Sequence, residues 1–355
     1  MNYRFVFFSV VLATALVDAR AFSAAQEASV AAQPGTVDAY QEILAFSNDG
    51  RFLREVASIN PVGSEQFSHV RAITYVAATG EIRHVWNLQP DTGCSSATTD
   101  GQRAVISVDR DRPERHAHFF LLDTETGQTQ DIPSSWFDDD GNPYAAISGD
   151  GQFVSSYSES GPNDMVVSVY DWQTKKLVAK QMSVYIAAGG IFGGGVTEDG
   201  KIEFFNNRVG AHVVDPKTGR LLVSVGPHSY RSPDGAWDIE FPNPLFEDAP
   251  QKVTILNRSG EVVGKLDIPI TNENRENWAG GRGAFCGTSG RFITTTSNTV
   301  QAFEIPSGKQ IASFPNETWR AKNPDDATIT PVACSPSGKR VAIRSGERLT
   351  LHDLK

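Results

Sequence analysis

Three runs in the chain hold side chains whose types and spacing are suited to chemistry. His116 and His118 stand two apart ahead of an apolar stretch. Strand alternation puts both imidazoles on one face, a spacing that can ligate a metal. No third ligand follows nearby, so a solvated loop edge is the plainer reading. Asp138-Asp139-Asp140-Gly141-Asn142 offers hard oxygens of the kind calcium takes. Pro143 replaces the glycine such a loop turns on, however, and no Glu closes it. Gly195 to Lys201 nearly spells a phosphate-binding loop, but Ile202 occupies the position where Ser or Thr must reach magnesium. No G-x-S-x-G, H-E-x-x-H or C-x-x-C motif occurs. The sequence therefore predicts no metal site, no cofactor and no nucleophilic machinery.

Binding chemistry is better represented. Long, unequal connections carry Arg110, Arg112, Arg115, His116 and His118 in one stretch and Trp136 in the next. Others carry His228 and Arg231, then Arg275, Trp278 and Arg282, then Trp319 and Arg320. Arginine and aromatic side chains dominate binding hot spots, and long loops on a rigid scaffold commonly carry function. The competing reading is that the aromatic residues pack beneath their own loops.

What positions these loops is a repeat. A tetrapeptide ending in glycine recurs as SNDG at Gly50, TTDG at Gly101, SGDG at Gly151, TEDG at Gly200, SPDG at Gly235, GTSG at Gly290 and SPSG at Gly338. Seven glycines from 50 to 338 leave six intervals averaging 48 residues. Asp and Ser bond to nearby backbone and Gly accepts positive φ, so each copy is a turn. Segments rich in β-branched and aromatic residues flank it, such as Phe153 to Tyr157 and Phe292 to Thr296. A second turn follows in most units, as at Gly80, Gly127, Gly219, Gly260 and Gly308. Two turns and four short strands make one antiparallel sheet, which cannot bury both its apolar faces alone. Radial packing of sheets buries them.

The sequence thus predicts an all-β fold, a seven-bladed β-propeller over residues 36–355, with Thr36 to Ile43 as the outer strand that completes the last blade and joins the chain ends. Both kinds of turn then fall at one end of the ring, and the long connections at the other.

The SPDG-type and D-x-x-T-G turns resemble those of WD-repeat-like and YVTN-type propellers of exported bacterial proteins, a superfamily that includes quinoprotein amine dehydrogenase-type subunits. The resemblance covers nearly the whole chain after its leader and implies a fold more than an activity. It departs from WD repeats proper, since no Gly-His opening recurs and Trp-Asp occurs only at Trp237-Asp238.

Residues 1–25 read as a secretory signal, with Arg4 before an apolar run from Phe5 to Val17, too short to span a bilayer. Cleavage fits either after Ala21 or after Ala25, and residues 26–35 read as a linker. The expected location is secreted or periplasmic. The 355-residue chain carries a net charge of −10, so it lacks the basic field that supplies most phosphate affinity, and nucleic acid is not expected as a partner. Cys286 and Cys334 each stand four residues before a turn glycine, as do Phe46, Ala97, Ile147, Val196 and Arg231. Those mostly apolar equivalents favour buried free thiols, a disulfide being the alternative. The sequence reading is an exported, non-catalytic propeller that binds a protein or small-molecule ligand through its loop-rich face. The alternative is a propeller enzyme or enzyme subunit of lyase, lactonase or amine dehydrogenase-like type, with its site at the channel mouth.

Overall fold

The computed structural model describes residues 30–31, 37–61, 69–90, 92–108, 118–137, 144–161, 164–185, 191–196, 202–206, 210–214, 221–225, 229–232, 234–241, 252–268, 283–295, 299–315, 332–345 and 348–354. Among them the fold is all-β, with one short 3-10 turn at Ser134–Trp136. The strands form seven four-stranded antiparallel sheets, six of which are built from strands consecutive in sequence.

The first sheet shows why. Strand Val37–Phe46 meets strand Phe52–Pro61 across a tight turn, with Phe46 opposite Leu53. In that turn Gly50 adopts φ +70° and donates its N–H to the Ser47 carbonyl. The Ser47 hydroxyl donates to Asp49 Oδ1 at 2.6 Å and accepts from the Phe52 N–H at 2.9 Å. Three residues thereby satisfy the backbone groups that a reversing chain exposes. The same bonds recur at Thr98 and Asp100, Ser148 and Asp150, and Ser232 and Asp234. Strands His69–Val76 and Ile82–Pro90 then complete the sheet across a second turn.

The other sheets run from strand Thr92–Ala97 to Thr129–Asp131, Tyr144–Ile147 to Leu177–Tyr185, Ile191–Val196 to Leu221–Val225, Ser229–Arg231 to Val262–Leu266, and Gly283–Phe285 to Lys309–Pro315. The seventh comprises strands Val332–Cys334, Arg340–Ser345 and Arg348–Asp353, with the two-residue strand Val30–Ala31 on its outer edge.

This last pairing corrects one expectation. An N-terminal strand does join the seventh sheet, but it is Val30–Ala31, from the stretch read as a linker. Residues 37–43, part of the segment predicted to play that role, belong to the opening strand of the first sheet. The hairpin decides the matter: the residues just before each S-x-D-G turn fold back locally onto those after it, and Ile43 pairs with Val56 across only such a turn.

Apolar side chains are buried between sheets. Val56, Ala72, Ile106 and Leu122 fill the space between the first and second sheets. Val105, Phe119, Ile147 and Val154 fill that between the second and third. Ile255, Leu266, Phe292 and Phe303 lie between the fifth and sixth, and Ile293, Ala302, Val341 and Ile343 between the sixth and seventh. Leu53, Tyr75, Leu349 and Leu351 join the seventh back to the first. The first, second, sixth and seventh sheets each supply half of two such cores, which is how a four-stranded sheet with two apolar faces becomes stable. The opening strands of neighbouring sheets also lie side by side, Val332–Cys334 next to Val37–Phe46 among them.

Candidate functional site

Two turns per sheet must share one end, because they follow the first and third strands of an antiparallel set. The hydrogen bonds agree: Ala77 N–H donates to the Arg51 carbonyl, Thr124 to Gln102, Trp172 to Gln152, Ile305 to Gly290 and Leu354 to Lys339. In each pair the residue just past the third strand donates to the chain at or just after the first turn's glycine.

Arginines occupy this end in a way the sequence reading missed. Arg103 Nη1 donates to the Gly151 carbonyl in the turn of the next sheet, Arg291 Nη1 to Gly338, and Arg340 Nη1 to Ala77 of the first sheet. These three share one register position, the residue before the partner of the inner strand's last residue. Arg54, two positions further along its strand, reaches Asp100 O at 2.8 Å. The signal was present in Gly290-Arg291, Gly101-Gln102-Arg103 and Gly338-Lys339-Arg340, an arginine one or two residues beyond the turn glycine.

A second unpredicted cluster lies between the seventh and first sheets. Glu55 is 1% exposed, and its Oε2 accepts from the Tyr75 hydroxyl at 2.8 Å. Its Oε1 lies 3.8 Å from Arg71 Nη2 and 3.6 Å from Arg344 Nη2, close enough for attraction but beyond hydrogen-bonding distance. Burial first, then the negative charge of Glu55, pushes the Tyr75 hydroxyl well above the ordinary tyrosine range, so it stays a donor. This arrangement is enclosed and locks two sheets together.

The cysteines correct another expectation. Cys286 and Cys334 form a disulfide with Cα atoms 4.9 Å apart. The residue matching Cys334 in the sixth sheet is Phe285, since Cys334 pairs with Val341 and Phe285 with Phe292. Cys286 therefore stands one place further on, where other turns carry Ser47, Thr98, Ser148, Ser232 and Ser335. Counting back from the turn glycine misplaced it because Gly290 sits one residue later in its turn than Gly338 does. Cys94 is buried and stands outside the disulfide.

Of the residues expected to form the binding face, the structure describes the side chains of two. His118 opens strand His118–Asp123 at the end away from the turns, and its Nε2 lies 3.3 Å from Asp131 Oδ1 on an exposed edge. Trp136 is elsewhere. It is buried between the second and third sheets, stacked on Tyr170 with ring centroids 4.1 Å apart and edge-on to Trp172. Its carbonyl accepts from the Ser156 hydroxyl at 2.7 Å. The chain after Ile132 folds in between the sheets there, so Trp136 serves as packing and leaves the candidate surface. Arg231 ends strand Ser229–Arg231, its backbone paired with Asp238. Arg110, Arg112, Arg115, His116, His228, Arg275, Trp278, Arg282, Trp319 and Arg320 lie outside the described residues, as do the Asp138 to Asn142 run and the Thr197 to Lys201 part of the phosphate-loop look-alike.

Among the described residues no group of three or more His, Cys, Asp or Glu side chains gathers to hold a metal ion. Nor is any helix among them long and apolar enough to cross a membrane. What the geometry offers is one end committed to turns and arginine contacts, and an opposite end from which the long connections leave.

No protein-family model matches the chain, and a search of curated proteins found no match. A solved structure of Kuenenia stuttgartiensis hydrazine synthase is similar in fold, with a TM-score of 0.52 at 15% identity over 87% of this chain and 94% of that one. That likeness supports a propeller-like architecture for the all-β fold.

Proposed function

We propose that the seven sheets close into a seven-bladed β-propeller which is exported and binds a protein or small-molecule ligand, without catalysis, through the end opposite its short turns. The observation that carries this reading is the division of labour between the two ends. Hairpin bonds and arginine contacts to neighbouring sheets occupy the turn end, and the long connections leave from the other. Ring closure is supported by the core and the Arg340 contact that join the seventh sheet to the first. Export is supported by the leader and by the Cys286–Cys334 disulfide, a bond that persists in oxidising compartments. The likeness to hydrazine synthase at 15% identity is one of fold, so the enzyme reading gains no residue from it.

The test is charge reversal of the connection after the second sheet's second strand. Arg110→Glu, Arg112→Glu and Arg115→Glu together should leave the melting temperature within about 1 °C, as surface changes do. The same variant should lose a partner that the parent protein retains from the exported fraction of its source. Identical retention by parent and variant would remove this face from consideration.

A further inference from the structure

Three sheets carry a buried polar side chain at the same level of their second strand. Two residues beyond the partner of the inner strand's last residue stand Glu55 in the first sheet, Ser156 in the third and Thr294 in the sixth. Alternation turns each toward the core shared with the preceding sheet, the seventh in the case of Glu55, because Leu53, Val154 and Phe292 lie two places earlier on the same face. Glu55 is met there by the Tyr75 hydroxyl at 2.8 Å. Ser156 is met by the carbonyl of Trp136, a residue buried between the same two sheets. Thr294 is 0% exposed, and among the described residues its hydroxyl finds no hydrogen-bond partner.

Its neighbour is in the same position. Gln301 lies directly opposite Thr294 on the next strand, and its Oε1 is likewise buried without a partner among the described residues. Val300 and Ala302 face the seventh sheet and Phe303 the fifth, so Gln301 faces the fifth together with Thr294. Directly opposed side chains in a sheet have Cβ atoms about 5 Å apart, so one small group can reach both oxygens. Aromatic rings border the place. A Cβ on Gly283, which pairs with Thr294 from the inner strand, would collide with the Phe292 ring. That ring lies 5.6 Å from Tyr230 and 6.3 Å from Phe241 between centroids. Thr294 is the fourth of five residues in strand Arg291–Thr295, which leaves the turn at Gly290, so the place lies toward the end away from the turns.

We infer that the junction of the fifth and sixth sheets takes an aromatic carboxamide as a ligand, where the junction of the second and third takes Trp136. The amide oxygen accepts from the Thr294 hydroxyl, its N–H donates to Gln301 Oε1, and the ring lies against Phe292, Tyr230 and Phe241. Buried oxygens without partners are rare because nothing offsets their desolvation, and binding sites combine apolar walls with a few convergent polar groups. Neither oxygen carries a charge, which suits the place to a neutral ligand and not to an ion. The inference deepens the reading of this end as the binding end, and rests on it for the ligand's way in.

The test is calorimetric titration of the full chain with phenylacetamide. Saturable binding is expected, weakened about tenfold by Thr294→Val and by Gln301→Met, as the loss of one hydrogen bond in an enclosed site would do. Ethylbenzene, which keeps the ring and lacks the amide, should bind about tenfold more weakly as well. No binding of phenylacetamide, or binding that both substitutions leave unchanged, overturns the inference. Without ligand, Thr294→Val should leave the melting temperature unchanged or raise it, since an unpaired hydroxyl gives way to a methyl of similar shape, whereas Ser156→Ala should lower it. A fall in Thr294→Val would show the hydroxyl already bonded, to water or to the chain, and also overturns the inference. The Arg110→Glu, Arg112→Glu, Arg115→Glu variant should bind phenylacetamide as the parent does. Retention of a partner by that variant therefore removes the wider binding face and leaves the junction standing, while a failed titration does the reverse.

Discussion

The Arg340 guanidinium donates to the carbonyl of Ala77 at 2.6 Å, a contact between residues 263 positions apart. It ties the seventh sheet to the first, in the manner of Arg103 to Gly151 and Arg291 to Gly338 between consecutive sheets. The same guanidinium holds Asp353 at 2.8 Å through Nε, which fixes its direction.

Arg340→Leu should therefore lower folding stability by about 1 kcal/mol, in the range for a hydrogen bond at a partly exposed site. Arg103→Leu should do the same within about a factor of two. Lys at either position would keep the charge but lose the planar fork, and should recover only part of the loss. Urea unfolding of these variants checks this, and a stability equal to the parent's would show that the contacts are incidental.

The buried carboxylate makes a sharper case. Removing one member of a buried ion pair strands the other, at a cost of about 3 to 5 kcal/mol. Arg344→Met should accordingly destabilise by about 3 kcal/mol, because Glu55 remains buried with only Arg71 to balance it. Tyr75→Phe removes one hydrogen bond and should cost about 1 to 2 kcal/mol. Adding Glu55→Gln to Arg344→Met should restore part of the loss. Strict additivity in that double-mutant cycle would mean the two groups do not interact.

Reduction should act through the unfolded chain. The Cys286–Cys334 bond closes a loop of sequence separation 48, for which chain entropy gives roughly 4 kcal/mol. Cys286→Ser with Cys334→Ala should lower the melting temperature, and adding a reductant to that variant should lower it no further. Non-reducing peptide mapping should find these two cysteines joined and Cys94 labelled only after denaturation.

Acid should weaken the turns. The Ser47 hydroxyl first, then the Arg51 N–H, holds the Asp49 carboxyl far below the usual carboxylate range. The Ser232 hydroxyl lowers Asp234, and the Thr174 N–H lowers Asp171. Each folded-state value lies below the unfolded one of 3.8, so as pH falls through about 4 the unfolded chain takes up protons that the folded one refuses. Stability contributed by these groups is present in full above about pH 5 and declines toward about pH 2. Asp49→Asn should flatten that part of the profile, and an unchanged slope between about pH 5 and about pH 2 would assign acid sensitivity elsewhere.

The sheets and their turns were legible because a turn is local chemistry: Ser47, Asp49 and Gly50 declare it within four residues. The arginine contacts were legible in spacing but not in meaning, since Arg340 and Ala77 are 263 positions apart and meet only in the folded chain. Trp136 misled for a related reason. Its sequence neighbours Asp138 to Asp140 describe a solvated loop, whereas its stacking partner Tyr170 arrives from the next sheet. Glu55 sits in the alternating pattern of an ordinary strand, and nothing near it in sequence announces Arg344.

Placing the apolar layers between two sheets also fixes which changes the chain can absorb. Lengthening a connection disturbs no layer, so such segments are free to diverge in size and composition. Excising the first, second, sixth or seventh sheet would bare two layers at once. Variation in a molecule of this construction is thereby channelled into its connections.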